Sequence, residues 1–194
     1  MATSKYPTEQ YASTHFVESC GAVLFDIQTR LLCVLRYKNV GHAVLPKGRR
    51  DLGEHRADAA IREVREETGL PCKLLPVTLA SRQPGPEQNA NAGSDGYVPD
   101  TVNTHPNVTH EPFYLQVRHS SYTSVKIIYW FIAMVEDEAE VNPDAHPCEE
   151  QFTREWYLAE EAHAALTYAN DAEVVKRAVA IVRESGYTGY ATAT

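Results

Sequence analysis

The chain has no excess of positive charge and no long apolar run. Its 194 residues include 18 lysines and arginines against 26 aspartates and glutamates, a formal charge of -8. We therefore expect no basic surface for non-specific binding and no nucleic-acid partner. No apolar run approaches the roughly 20 residues of a membrane span, and the N-terminus lacks the apolar core of a signal peptide. These absences predict a cytoplasmic protein, with a nuclear location as the alternative. They also predict no membrane partner.

Cysteine is also scarce, with four scattered residues and no Cys-x-x-Cys pair. We expect reduced, mostly buried thiols, and neither a zinc site nor a disulfide framework. The eight histidines show no paired ligand spacing, so the sequence assigns them no metal.

Length and composition predict one domain with tails. The composition, 43% hydrophobic and 23% charged, is ordinary for a globular protein. We place an N-terminal tail at 1–18, the domain at 19–187 and a C-terminal tail at 188–194. About 83–112 is rich in Pro, Gly and Asn, which predicts a structureless surface insertion. The alternative is a functional lid that brings Tyr97, His105 or His110 to a substrate.

Hydrophobic patterning predicts the remaining elements. Helical spacing appears at 158–166 and at 171–185. Strands are predicted at 19–25 and 31–37 as a hairpin, and then at 43–45, 73–81, 113–117, 124–135 and 152–158.

The stretch from Gly48 to Leu70 is a glycine-flanked polar loop followed by a helix. Glu63, Glu66 and Glu67 share one arc of that helix, because they are three and four residues apart. A solvated charged face is the ordinary explanation. However, Glu63 and Glu67 have no cation at those spacings, and like charges there cost about 0.2–0.5 kcal/mol per pair. The helix dipole also disfavours anions in the last turn. A bound divalent cation, which prefers oxygen ligands, would turn this electrostatic cost into a favourable interaction.

The same stretch resembles the Nudix box. The matching positions, without departure, are Gly48, Glu54, Arg62, Glu63, Val64, Glu66, Glu67, Gly69 and Leu70. The resemblance implies a Nudix hydrolase, which cleaves a phosphoanhydride in a nucleoside diphosphate linked to another group, using Mg²⁺ or Mn²⁺. It also implies an α+β fold, an α/β/α sandwich with a mixed β-sheet between helices.

Residue roles follow from the resemblance in the same way. Glu63, Glu66 and Glu67 would hold the metal, and one of them would also serve as the base. Arg62 would orient these carboxylates, Glu54 would tie the loop to the helix, and Gly48 and Gly69 would be structural. Many Nudix enzymes draw a further carboxylate from a loop outside the box, for which the candidates are Glu149 and Glu150; a surface pair is the alternative.

Cations lie next to the box in the run Pro46-Lys47-Gly48-Arg49-Arg50. We interpret Lys47 and Arg49 as a clamp for substrate phosphates, and we add Arg36 to this set; a solvated turn is the alternative. Arg118, His119 and Lys126 could also reach phosphates, but a solvated hairpin tip is the preferred interpretation.

The Pro-Lys-Gly lead-in is similar to that of family members acting on diadenosine polyphosphates and diphosphoinositol polyphosphates. We therefore rank these phosphate-rich small molecules first, ADP-ribose and other nucleoside diphosphate sugars next, and capped messenger RNA last. A non-catalytic Nudix-fold module that binds a nucleotide is the alternative of another class. The sequence leaves the oligomeric state open.

Overall fold

The computed structural model describes residues 5–84, 101–121, 124–136 and 147–187. Its strands form a mixed eight-stranded sheet and a separate two-stranded sheet. The strands are β1 Phe16–Asp26, β2 Leu31–Tyr37, β3 Ala43–Val44, β4 Lys47–Arg49, β5 Cys72–Leu74, β6 Val77–Ser81, β7 Asn103–Val108, β8 Tyr114–Ser121, β9 Ser124–Val135 and β10 Phe152–Leu158. The helices are α1 Arg56–Thr68, α2 Ala162–Ala165 and α3 Ala169–Glu184.

Strand β1 lies at the centre of the large sheet, whose order is β10-β2-β1-β9-β5. It runs parallel to β9 from Phe16 to Phe25, but it pairs with β2 only near the hairpin turn, where Phe25 faces Leu32. Beyond that point β3 pairs with β2 and β4 pairs with β1. The segment that leads into the box is therefore part of the sheet.

The sheet carries a core on each face, because successive residues of a strand point to opposite sides. Ala22 and Leu24 of β1 pack in the cluster that includes α1, whereas Val23 and Phe25 pack in the cluster that includes α3. The mixed sheet thus lies between helices, which confirms the predicted α+β sandwich.

Several elements have the predicted bounds. Strands β2, β9 and β10 run from 31 to 37, from 124 to 135 and from 152 to 158. Strand β1 instead begins at Phe16, within the segment predicted as a tail, because its parallel pairing with β9 extends that far. Among the described residues, the structure contains no helix both long and apolar enough to cross a bilayer.

Two predictions of local structure were wrong. The single strand predicted at 73–81 is interrupted before Val77, and its halves, β5 and β6, belong to different sheets. Pro76 accounts for the break, since proline cannot donate to a strand ladder. The predicted structureless insertion contains β7, which pairs with β6. Residues 85–100, which include Tyr97, residues 137–146 and the predicted C-terminal tail at 188–194 lie outside the described residues.

Candidate active site

Helix α1 has a defined start and end. It begins after His55, whose backbone is extended, and it ends at Gly69, which takes a left-handed conformation with φ 73°. The amide of Gly69 donates to the carbonyl oxygen of Arg65 at 2.8 Å. Glycine at this position adopts positive φ without a steric penalty. The sequence therefore ends the helix directly after the turn that carries Glu66 and Glu67.

Arg62 connects the box loop to the helix. Its Nε and Nη2 atoms donate to the two carboxylate oxygens of Glu54 at 2.8 and 2.9 Å. Its Nη1 donates to Glu63 at 2.7 Å and to Glu66 at 3.0 Å, and Nη2 also donates to the backbone oxygen of Arg49 at 2.9 Å. The roles expected of Arg62 and Glu54 stay predictions, which these contacts support.

The carboxylate of Glu63 lies directly against the backbone of Gly48. Glu63 is 9% exposed, and a Cβ atom placed on Gly48 would come within 1.8 Å of its Oε2 atom. Gly48 itself lies in β4 opposite Cys20 of β1. Position 48 must therefore be glycine for the Glu63 carboxylate to occupy this place. Burial raises the pKa of Glu63, and the Arg62 guanidinium opposes that rise.

Glu67 is half-buried, between the buried Glu63 and the exposed Glu66. Burial raises its pKa to about 7, against the lowering effect of the hydrogen bond and charge of Lys47. The bond comes from the Lys47 backbone amide, which donates to Oε2 at 2.8 Å. The negative charges of Glu63 and Glu149 raise the Glu67 pKa further. A partly buried carboxylate next to other carboxylates is a natural position for a bound cation.

The chain before and within β10 holds the last turn of α1. The amide of Glu149 donates to the Glu67 backbone oxygen at 3.3 Å, and the Arg154 guanidinium donates to the Thr68 backbone oxygen. The thiol of Cys148 contacts the same Thr68 oxygen at 3.6 Å. Sequence reasoning missed Arg154, since the approach of β10 to the end of α1 leaves no local signal.

The candidate extra carboxylates lie beside this end of the helix. Glu149 is exposed, and its carboxylate accepts a hydrogen bond from Gln151 at 2.9 Å. It is close enough to Glu67 to raise its pKa. Glu150 is also exposed. The structure thus brings Glu149 to the site by its backbone and its charge, and the metal role of either residue stays a prediction.

The donor set fits Mg²⁺ or Mn²⁺, although the carboxylates do not yet converge. In the part of the chain that the structure describes, no three His, Cys, Asp or Glu side chains form a ready metal cluster. Arg62 holds Glu63 and Glu66 on its own side, while Glu67 faces the Lys47 amide. Carboxylate oxygens are the ligands that Mg²⁺ prefers, with water and substrate oxygens completing its shell. Binding would therefore require these carboxylates to turn from Arg62 towards a shared ion.

The predicted phosphate-binding cations have different surroundings. Lys47 and Arg49 lie on β4 with no ion pair to a carboxylate among the described residues. Arg36 is held by Glu155 through two hydrogen bonds of 2.7 and 2.8 Å, so phosphate binding there would have to displace that partner. Arg50 pairs with Glu18 at 2.6 Å.

Two open grooves of about 610 and 650 Å³ border α1. The first lies at the start of the helix, and the second extends along it to Arg62 and Glu66. His110 lines both of them, whereas Glu63, Glu67 and Lys47 line neither. His105, another residue of the predicted lid, lies on β7 opposite Leu79. The described part of the insertion thus borders the groove that Arg62 and Glu66 line.

Comparison with known proteins identifies the family. The model of the NUDIX domain matches residues 15–178. A NUDIX hydrolase from Nitrosomonas europaea is 16% identical with a TM-score of 0.51, over 84% of this chain and 88% of that chain, which supports the fold alone. A C. elegans Ap4A hydrolase is 18% identical with a TM-score of 0.47, over 86% of this chain and 98% of that chain. No curated protein matches significantly. Because the domain match spans most of the chain and every box position is present, the chain belongs to the Nudix family and is a hydrolase of phosphoanhydride bonds.

Proposed function

We propose that the protein is a pyrophosphohydrolase that depends on Mg²⁺ or Mn²⁺ held by Glu63, Glu66 and Glu67. The observation that carries this proposal is the environment of Glu67. Its carboxylate is half-buried, partial burial raises its pKa to about 7, and its hydrogen-bond donor is a backbone amide rather than a charged side chain. A divalent ion would supply the missing positive charge at this point.

The residues around the carboxylates have separate tasks in this proposal. Arg62 fixes Glu54 and orients Glu63 and Glu66. Gly48 lets Glu63 approach the backbone of β4. When bound, the divalent ion supplies phosphate neutralisation and lowers the pKa of water. Lys47 and Arg49 bind the phosphates that do not react, which draws negative charge away from the bond that breaks.

The proposed substrate is rich in phosphate, with diadenosine polyphosphates and diphosphoinositol polyphosphates ranked first. Lys47 and Arg49 beside the box form no ion pair with the other described residues, and this supports the ranking. A protein with a formal charge of -8 must concentrate cations locally to hold a polyanion. ADP-ribose and related nucleoside diphosphate sugars rank second. Capped messenger RNA ranks third, since the acidic chain offers no general attraction to RNA.

The test is a substrate panel with Mg²⁺ or Mn²⁺, in which the products are identified by mass. We expect hydrolysis of a phosphoanhydride in the wild type, and a loss of about 100-fold or more in the Glu67→Gln variant. Glu184→Gln is the matched control, because Glu184 is exposed at the last residue of α3. Equal turnover in the Glu67→Gln and Glu184→Gln variants would show that Glu67 has no role in the active site.

A further inference from the structure

A row of cations crosses the sheet on the face that carries α3. Odd-numbered residues of β1, including Val23 and Phe25, point to this face. Residues that face each other in a register point to the same side of a sheet. Lys47 faces Gly21 and Arg49 faces Ser19, so both of their side chains lie on the α3 face.

The same register continues across the next two strands. Val17 of β1 faces Lys126 of β9, and Lys126 faces Arg118 of β8. The row therefore includes β4, β9 and β8, and its outer strands are about 14 Å apart at the usual spacing between strands. These residues are far apart in the sequence, and it is the sheet that brings them together.

The members of the row are close enough to affect one another. Partial burial lowers the pKa of Lys126, and the positive charges of Lys47, Arg49 and Arg118 lower it further. Neither Lys47, Arg49 nor Lys126 forms an ion pair within the described ranges. The row thus has surplus positive charge on a protein that is acidic overall, and a polyanion would relieve that repulsion.

Asp171 fixes one end of the row. It is 1% exposed and accepts a hydrogen bond from Arg118 Nη2 at 2.7 Å through Oδ1. Arg118 also donates to Gln116, which accepts a bond from the Trp130 indole. Arg118 is therefore held in place, and its interpretation as part of a solvated hairpin tip is wrong. The second oxygen of Asp171, Oδ2, is buried without a partner among the described atoms.

We propose that Lys126 and Arg118 extend the clamp of Lys47 and Arg49 into one continuous site for a linear polyphosphate, with Asp171 as the residue that positions Arg118. The inference rests on the proposed function and narrows its substrate class. A chain of several phosphates would contact the whole row, whereas the diphosphate of a nucleotide sugar would reach only the end beside the box. Lys126 and Arg118 would then select substrates by the length of their phosphate chain.

The binding test uses inorganic tripolyphosphate and calorimetry in EDTA, so that neither metal nor turnover contributes. We expect the wild type to bind, and the Lys126→Met and Arg118→Met variants to bind about tenfold more weakly. Lys176→Met is the matched control, because Lys176 is an exposed residue of α3 that pairs with Glu173. It should bind like the wild type. Wild-type protein that does not bind, or equal binding by all four proteins, would overturn the inference.

A double-mutant cycle tests the role of Asp171. Asp171→Asn should weaken tripolyphosphate binding in the wild-type background but not in the Arg118→Met background, because its effect passes through Arg118. An equal loss in both backgrounds would contradict the positioning role. If Asp171→Asn does not fold, as judged by circular dichroism, the comparison of Lys126→Met with Lys176→Met still decides whether the row binds.

Kinetics separate this inference from the proposed function. With Mg²⁺, Lys126→Met should raise KM for diadenosine tetraphosphate about tenfold and leave kcat and the KM for ADP-ribose nearly unchanged. A parallel rise of both KM values would contradict selection by chain length. If the wild type hydrolyses none of the substrates, the proposed function is overturned instead. Tripolyphosphate binding would still test whether the row of cations binds polyphosphate.

Discussion

At the scale of single residues, the site depends on contacts between groups that are close in space but offer no pattern of spacing. The sequence singled out Glu63 as lacking a cation three or four residues away. In the structure its neighbour Arg62 bonds to it at 2.7 Å and also bonds to Glu66. Adjacent helix residues do not usually face each other, so helix spacing does not predict this pairing, which only the resemblance to the Nudix box implied. Among the described residues, Glu67 is the one of the three carboxylates that forms no ion pair, although the charge of Lys47 acts on it.

The contact between Gly48 and Glu63 gives a prediction for Gly48→Ala. The added methyl group would occupy the place of the Glu63 carboxylate. That carboxylate is the far end of a flexible side chain, so it should move aside at a cost of about 1 kcal/mol in unfolding free energy. Hydrolysis should fall at least about tenfold, because Glu63 no longer has its position. Urea denaturation and turnover measure the two effects, and full activity in this variant would contradict the account.

The raised pKa of Glu67 gives a prediction for the stability of the metal-free protein. Between its ordinary value of 4.5 and about 7, the folded chain holds a proton that the unfolded chain has released. The stabilisation is therefore fully present below pH 4.5 and is lost as the pH rises through about 7. The loss amounts to about 3 kcal/mol.

The measurement is urea denaturation in EDTA at a series of pH values. The wild type should lose more unfolding free energy on going from about pH 5 to about pH 8 than the Glu67→Gln variant, which cannot ionise at this position. Other titrating groups are common to both proteins and cancel in the comparison. Identical pH profiles would show that Glu67 is not desolvated in solution.

At the scale of elements, patterning predicted strongly apolar strands well and the polar ones poorly. Strands β2 and β9 have the predicted bounds because their apolar runs are long and bounded by turns. Strand β7 was missed because its sequence, with Pro106 inside it, has little strand character and depends on pairing with β6. The predicted strand at 73–81 spans Pro76, where the chain passes from one sheet to the other.

The end of α1 gives a prediction at this scale. Gly69 has a φ of 73°, a conformation that costs alanine about 1 kcal/mol and asparagine less. Gly69→Ala should therefore destabilise the protein by about that amount in urea, and Gly69→Asn should fall between it and the wild type. Equal stability of the two variants would show that the left-handed cap does not limit the helix.

At the scale of the whole molecule, the site is assembled from segments that are distant in the chain. The Nudix box alone predicted the reaction class and the candidate site residues on α1. Arg154, Lys126 and Arg118 could not be predicted in the same way, since their places depend on the register of β10, β9 and β8. The family match over residues 15–178 includes all three of these strands.

The central claim is that the box carboxylates hold a divalent cation. Titration of Mn²⁺ into metal-free protein, followed by the loss of its free-ion paramagnetic resonance signal, tests it most directly. The account predicts binding by the wild type and by Glu184→Gln, and binding at least about tenfold weaker by Glu67→Gln. Equal binding by all three proteins, or no binding by the wild type, would contradict it.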